Sequence, residues 1–292
     1  LNAKLTPYIL VLPVTLFLIL TLGFGIGNGF LQSLGFIPSI GLNNLTFDHY
    51  LTAFKDPSFL SSLCFSLCTT LISSLLSILV GVILAYSLME KYFNMDVTKK
   101  SSILENLYTI PLLVPHIIAV VIIHNFTYQG GFLSRLFFNA GFIADSTAFP
   151  LLVNDQYGIG IILTYLWKEI PFVAIVTYSV LGNINKSLCM AAYNLGATKK
   201  KVFFHILLPL CKSSIFTSFI IIFAFSFGSY EVPFLLGPTL PNALPVKAYI
   251  EYSSPELFNR PYAMVINCIL TFISFLLVFL YHKAFKTYSK NK

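Results

Sequence analysis

An all-α integral membrane protein with six transmembrane helices is the fold class this sequence predicts, on three observations. Its side chains are 57% hydrophobic and only 10% charged, whereas a soluble domain carries about 25% charged residues. Its apolar runs reach the ~20 residues that take a helix across the hydrocarbon core. Between Lys4 and Asp48, for example, no charged side chain occurs. Those runs are continuously apolar rather than alternating, which selects helices over the strands of a barrel. The 292 residues therefore predict one polytopic domain over 1–292, not two soluble ones.

The spans follow in order. The first is placed at residues 8–30, the second at 61–89 and the third at 110–126. That third span is short and interrupted by Pro111 and Pro115. Residues 158–181, 215–236 and 263–281 supply the remaining three. The first run is long and has no small-residue cleavage site after it, so it is expected to be a span rather than a signal. The chain starts at Leu1 instead of Met, and a short basic tail is expected ahead of it. Turn formers mark the connections on one side: Pro38, Asn43, Asn44 and Pro57, then Gly130, Gly131, Gly141 and Asn154. Within the second of these, residues 132–138 have the pattern of a short amphipathic helix lying along the interface.

The net charge of +7 does not point to nucleic acid, because the basic residues sit in short connections between spans and not on one face. Their distribution sets an orientation. One set of segments holds Lys4, Lys91, Lys99, Lys100, Lys186, Lys199, Lys200, Lys201, Lys212, Lys283, Lys286, Lys290 and Lys292; the other holds Lys55, Arg135, Lys247 and Arg260. The positive-inside rule then places both termini and the connection after the fourth span in the cytoplasm. Cys64, Cys68, Cys189, Cys211 and Cys268 fall in spans or beside that connection, so free thiols are expected.

The cytoplasmic connection carries the most information. Met190-Ala191-Ala192-Tyr193-Asn194-Leu195-Gly196 is followed, across Lys199, Lys200 and Lys201, by Ile206-Leu207-Leu208-Pro209. Residues 187–195 suit a short helix whose alanines admit close approach. Gly196 suits a sharp turn at its end. Residues 201–208 suit a second short helix, and Pro209 then marks the start of the fifth span. Two short helices at an angle make a stiff knob able to pass on a partner's motion.

This spacing, Ala-Ala-x-x-x-Gly and then Ile-x-Leu-Pro, resembles the "EAA" loop of type I ABC importer permeases, with Trp167, Pro171, Phe172 and residues 181–184 resembling its approach. The resemblance implies the type I importer permease fold over most of the chain. It also implies that residues 186–209 dock on an ABC ATPase dimer through Met190, Ala191, Ala192, Gly196, Ala197, Lys200, Phe203 and Pro209. Further implied partners are a second permease subunit, a non-identical homologue, and an external solute-binding protein. The implied location is the bacterial cytoplasmic membrane. ATP–Mg would sit on the ATPase subunits and no cofactor on this chain. One departure stands out: the family has Glu before Ala-Ala, and this chain has Met190. That puts one charged contact in doubt and suggests that the partner permease keeps the acid.

Ionisable residues inside the spans are the other candidates, since each costs about 2.5–3.5 kcal/mol at mid-membrane on an insertion scale. Lys168 and Glu169 either border a substrate pathway or make a structural ion pair, with Pro171 breaking the helix beside them. Tyr230 and Glu231 either face the pathway or form an interfacial aromatic and a helix-end carboxylate. The segment 226–237 resembles permeases of the polyamine, iron(III), sulfate and thiamine group. His116 and His124 lack a third ligand, so no metal site is expected. Without a Gly-rich phosphate loop or a catalytic constellation, the chain is expected to be neither ATP-binding nor an enzyme. A secondary transporter or channel independent of ATP is the alternative, and it leaves the Ala-Ala-Gly loop unexplained.

Overall fold

The computed structural model describes residues 6–94 and 109–290. Lys4, Lys99, Lys100 and Lys292, which contribute to the orientation reading, lie outside the described residues. The described residues are helical apart from connections and one isolated bridge between Ile37 and Leu42. Six helical stretches among them are long and apolar enough to cross a membrane: Leu10–Ser33, Pro57–Leu88, His116–Asn139, Ile159–Gly182, Lys199–Gly228 and Leu257–Phe279. Chain contacts separate two compact units, Leu1–Ser61 with Leu244–Ile273 and Ser62–Ala243 with Ser274–Lys292.

The first unit holds α1 (Thr6–Ser33), α2 (Asp48–Lys55), α11 (Leu244–Ser253) and the first half of α12 (Arg260–Lys290). Helix α1 is exposed along its apolar length, with Leu10 at 73% and Phe24 at 78%. Lipid covers such a surface at no cost, so nothing drives these side chains inward. Asp56 organises the polar end of the unit. It accepts from the backbone N–H of Ser58 at 2.8 Å, and so caps the start of α3 (Pro57–Asn94). It also accepts from Tyr262 Oη at 2.6 Å and pairs with Lys247 Nζ at 3.4 Å. Burial alone would raise its carboxyl, but the bonds from Tyr262 and Ser58 and the charge of Lys247 hold it well below the usual carboxylate range.

The second unit holds most of α3, α4 (His116–Thr127), α5 (Phe132–Asn139), α6 (Ile159–Gly182), α7 (Lys186–Asn194), α8 (Lys199–Val202), α9 (Leu208–Gly228) and α10 (Glu231–Leu236). Helices α3 and α6 approach closely at Gly81, where an added Cβ would lie 2.7 Å from Val173 Cβ. A stripe of buried hydroxyls, Ser62, Ser66, Thr69, Thr70, Ser73, Ser74 and Ser77, runs along one face of α3. Several are satisfied within their own helix, as when Thr69 donates to the carbonyl of Phe65 at 2.8 Å. That local bond lets a polar side chain pack in a span.

Three expectations are corrected by the structure. Helix α6 runs unbroken across Pro171, which is buried within it. The fifth span ends at Gly228, and the residues expected to finish it form a separate short helix, α10. Nor is the second helix of the knob a separate piece: residues 199–228 form one helical run. Pro209 widens that run instead of interrupting it. Lacking an N–H, it cannot serve the carbonyl four residues back. The helix accommodates it with a π turn at Phe203–Leu207, in which Leu208 N–H reaches back five residues to Phe203.

Candidate functional site

The first candidate region is the connection between α6 and α9. Asn185 caps α7 by accepting from Ser187 N–H at 3.0 Å, and Thr198 caps α8 by accepting from Lys201 N–H at 3.4 Å. Between them α7 ends as a Schellman motif. Ala197 N–H bonds to the Ala192 carbonyl at 3.0 Å and Gly196 N–H to the Tyr193 carbonyl at 2.9 Å. Gly196 has φ +79°, the left-handed conformation that this ending requires, and open space where a Cβ would stand. Sequence reading anticipated the turn at Gly196. It passed over the two caps, although Asn and Thr directly before a helix are the ordinary signal for them.

Packing makes this elbow one body with the ends of three spans. Cys189, Val202, Leu207 and Cys211 are buried together with Ala85 of α3 and Leu181 of α6. Ala192, Ala197 and Phe203 pack against this cluster, and the Phe203 ring lies 4.4 Å from that of Tyr86. Those three proposed docking residues therefore anchor the elbow from within. The others face outward: Met190 is 62% exposed, and Ala191, Gly196, Lys200 and Pro209 are exposed too. Leu195, at 89%, is the most exposed large apolar side chain of the elbow. Burial pushes the Cys189 thiol up, which leaves it protonated and unreactive. All five cysteines are free thiols.

The second region is polar and lies inside the bundle. Glu169 on α6 is 95% buried and accepts from Ser77 Oγ on α3 at 3.0 Å and from Ser226 Oγ on α9. Tyr165, one turn earlier, donates to the Ser226 carbonyl at 3.2 Å. One carboxylate thus joins three helices. Lys168, equally deep, turns a different way and donates to the carbonyls of Pro111, Leu112 and Val114. The two adjacent charges do not meet; each is held by uncharged partners. Sequence reading found both charges but none of these partners, because Ser77 and Ser226 are ordinary residues of apolar spans.

Tyr230 and Glu231 are placed apart from that core. Glu231 is exposed in the first turn of α10, where a carboxylate suits the helix dipole. Tyr230 is half-buried and stacks on Phe234 at 4.9 Å. Helix α10 packs on α4 and α6. The two histidines do not converge: His116 lies 4.7 Å from the Phe225 ring, and His124 stacks on Tyr128 at 5.2 Å. No cluster of three metal-ligating side chains occurs among the described residues.

These features define a polytopic helical membrane protein whose elbow after the fourth span is built into the ends of its spans. Residues 77–286 match the model of the binding-protein-dependent transport system inner membrane component family, and the chain belongs to that family. It is 34% identical over 87 residues to the spermidine/putrescine transport system permease protein PotC homolog of Mycoplasma genitalium, covering 30% of this chain and 31% of that one. With a probable sulfate transport system permease protein of Chlorella vulgaris it shares 29% over 116 residues, covering 40% of this chain and 44% of the relative. The matched stretch thus spans less than half the length of these two relatives. In Bacillus subtilis, the probable ABC transporter permease protein YurN is 25% identical across 97% of both chains. Among solved structures, a bacterial ABC transporter involved in the import of alginate superposes with TM-score 0.79 at 17% identity, over 96% of this chain and 94% of that one. That likeness establishes the six-helix importer permease fold.

Proposed function

We propose that this chain is the permease subunit of an ATP-driven solute importer, forming half of the pathway and receiving the ATPase stroke through residues 186–209. The observation that carries this reading is the elbow. It exposes Met190 and Leu195 while its other face is locked into the ends of α3, α6 and α9. Apolar side chains held out on a rigid body outside the spans call for a partner surface. An ABC ATPase dimer, with ATP–Mg bound to its own subunits, is that partner. The chain itself holds no nucleotide and does no chemistry. A second, non-identical permease and an external binding protein complete the assembly in a bacterial cytoplasmic membrane, with both termini on the cytoplasmic side.

Within this reading the pathway residues divide. Tyr230 and Glu231, accessible on and beside α10, face the solute. Lys168 and Glu169 hold the bundle together. A carboxylate beside a phenol suits a cationic solute, and a polyamine-like solute agrees with the relatives named for spermidine and putrescine transport.

Copurification in mild detergent, with a photo-crosslinker at position 195, tests the reading. A crosslink to an ATPase subunit is expected. Uptake driven by an ion gradient without ATP, with no ATPase crosslinked, would establish the secondary-transporter reading instead. Gly196→Pro and Ala192→Arg are expected to uncouple hydrolysis from uptake while leaving membrane insertion intact.

A further inference from the structure

The helix leading into the third span is broken just before the membrane-crossing stretch His116–Asn139. Residues 109–113 are helical, residues 114 and 115 are not, and the helix resumes at His116. The cause is local. The carbonyl of Pro111 would normally accept from the N–H of residue 115, which is a proline and has none. The carbonyl of Val114 would accept from Ile118, but the Ile118 N–H bonds to Pro115 at 3.1 Å. Among the described residues neither acceptor has a main-chain donor, and an unpaired polar group is destabilising wherever water is excluded from it.

Lys168 fills this gap. Its Nζ lies 2.6 Å from the Pro111 carbonyl and 3.5 Å from that of Leu112, and it also donates to Val114. A primary ammonium has three donors and no acceptor, and here it meets three carbonyls. The side chain is 93% buried. The same turn of α6 carries Glu169, yet that carboxylate points to Ser77 and Ser226, so among the described residues the ammonium is held by main-chain carbonyls and not by a carboxylate.

We propose that the break at residues 114–115 is a main-chain carbonyl site for a small primary ammonium, and that Lys168 is its built-in occupant. The tethered ion fixes where the third span bends, and with it the position of α4 against α6 and α10. Lys168 is thus a positioning residue, whatever solute the chain transports.

Thermal unfolding of the full chain in mild detergent tests this. Lys168→Met, which keeps volume and loses the charge, is expected to lower the midpoint by about 5 °C or more. Lys168→Ala leaves an empty site as well, and methylammonium is expected to restore most of its loss. Tetramethylammonium at equal ionic strength, without N–H donors, is not. The wild-type chain and Lys168→Met, whose sites are filled, should respond to neither. A double-mutant cycle supplies the second arm. Pro115→Ala gives the Pro111 carbonyl a donor, so Lys168→Met should cost less than half as much in that background. Should Lys168→Met alone fail to fold, recovery on adding Pro115→Ala supports the site, and failure in both backgrounds overturns it. An unmoved midpoint in Lys168→Met, equal losses in the two backgrounds, or no methylammonium response in Lys168→Ala also overturns it.

Discussion

The polar core around Lys168 and Glu169 and the elbow at residues 186–209 invert the usual arrangement of side chains in opposite ways. In the core, charged groups lie inside and apolar ones outside, and both charges have partners within the subunit. At the elbow, Met190 and Leu195 stand exposed on a connection that the positive-inside rule leads one to expect in the cytoplasm. Lipid accounts for the first inversion, because apolar exposure is free in a bilayer and polar exposure is not. No solvent accounts for the second. Satisfied charge in the membrane therefore reads as architecture, and unsatisfied apolar surface outside it reads as a contact awaiting a partner. On this reading Lys168 and Glu169 are structural, as proposed above, rather than lining residues of the pathway.

Removing the core carboxylate should have the largest effect on stability. Glu169→Leu leaves Ser77 and Ser226 with a buried apolar neighbour and unties three helices. The expected loss is about 2–4 kcal/mol, read as a lower thermal midpoint of the full chain in detergent. Glu169→Gln, which still accepts from a serine, should lose less than half of that. Equal losses in the two variants would mean that volume and not hydrogen bonding holds the core. Next in size is Gly81→Val. Its side chain meets Val173 and the Ile170 carbonyl, so overpacking should cost about 1–3 kcal/mol in the same measurement. An unchanged midpoint there would show that α3 and α6 separate freely and that their close approach does not hold the core.

How far the sequence told this in advance differs between the two regions. The spans were legible because length and hydropathy are local properties, and the Schellman turn was legible because only glycine takes φ +79° easily. The partners of Glu169 were not, since Ser77 and Ser226 lie 92 and 57 residues away and any hydroxyl of an apolar span looks alike. Pro209 and Pro171 misled for one reason. A proline signals a missing donor, but whether the helix stops, widens or continues depends on what surrounds it. At Pro209 a π turn absorbs the defect, at Pro171 the helix continues, and at Pro115 it breaks and a lysine from another span supplies the donors.

For the elbow the comparison predicts the reverse balance, a small stability effect and a large functional one. Gly196→Ala meets no neighbour and costs only the strain of the left-handed backbone, about 1 kcal/mol. If the elbow docks as proposed, the same substitution should reduce uptake severalfold relative to ATP hydrolysis, because it changes the angle at which Leu195 is presented. Proportional loss of both activities would mean that the elbow is merely a fold element and would remove the contrast between the regions.

Glu231 is where the contrast can be sharpened most finely. It is an acidic residue like Glu169 and exposed like Leu195, so it shares one feature with each region. A Gln at this position keeps the shape and most hydrogen-bonding capacity while removing the charge. Stability should then fall only by the lost interaction with the α10 dipole, about 0.3–1 kcal/mol. If the carboxylate meets a cationic solute, the KM for uptake should rise at unchanged thermal midpoint beyond that small loss, and the rise should shrink with added salt, as expected of an exposed charge. Unaltered uptake kinetics with the small stability loss intact would assign Glu231 to the helix end alone. It would then join Lys168 and Glu169 as a structural residue, and selectivity would rest with the binding protein.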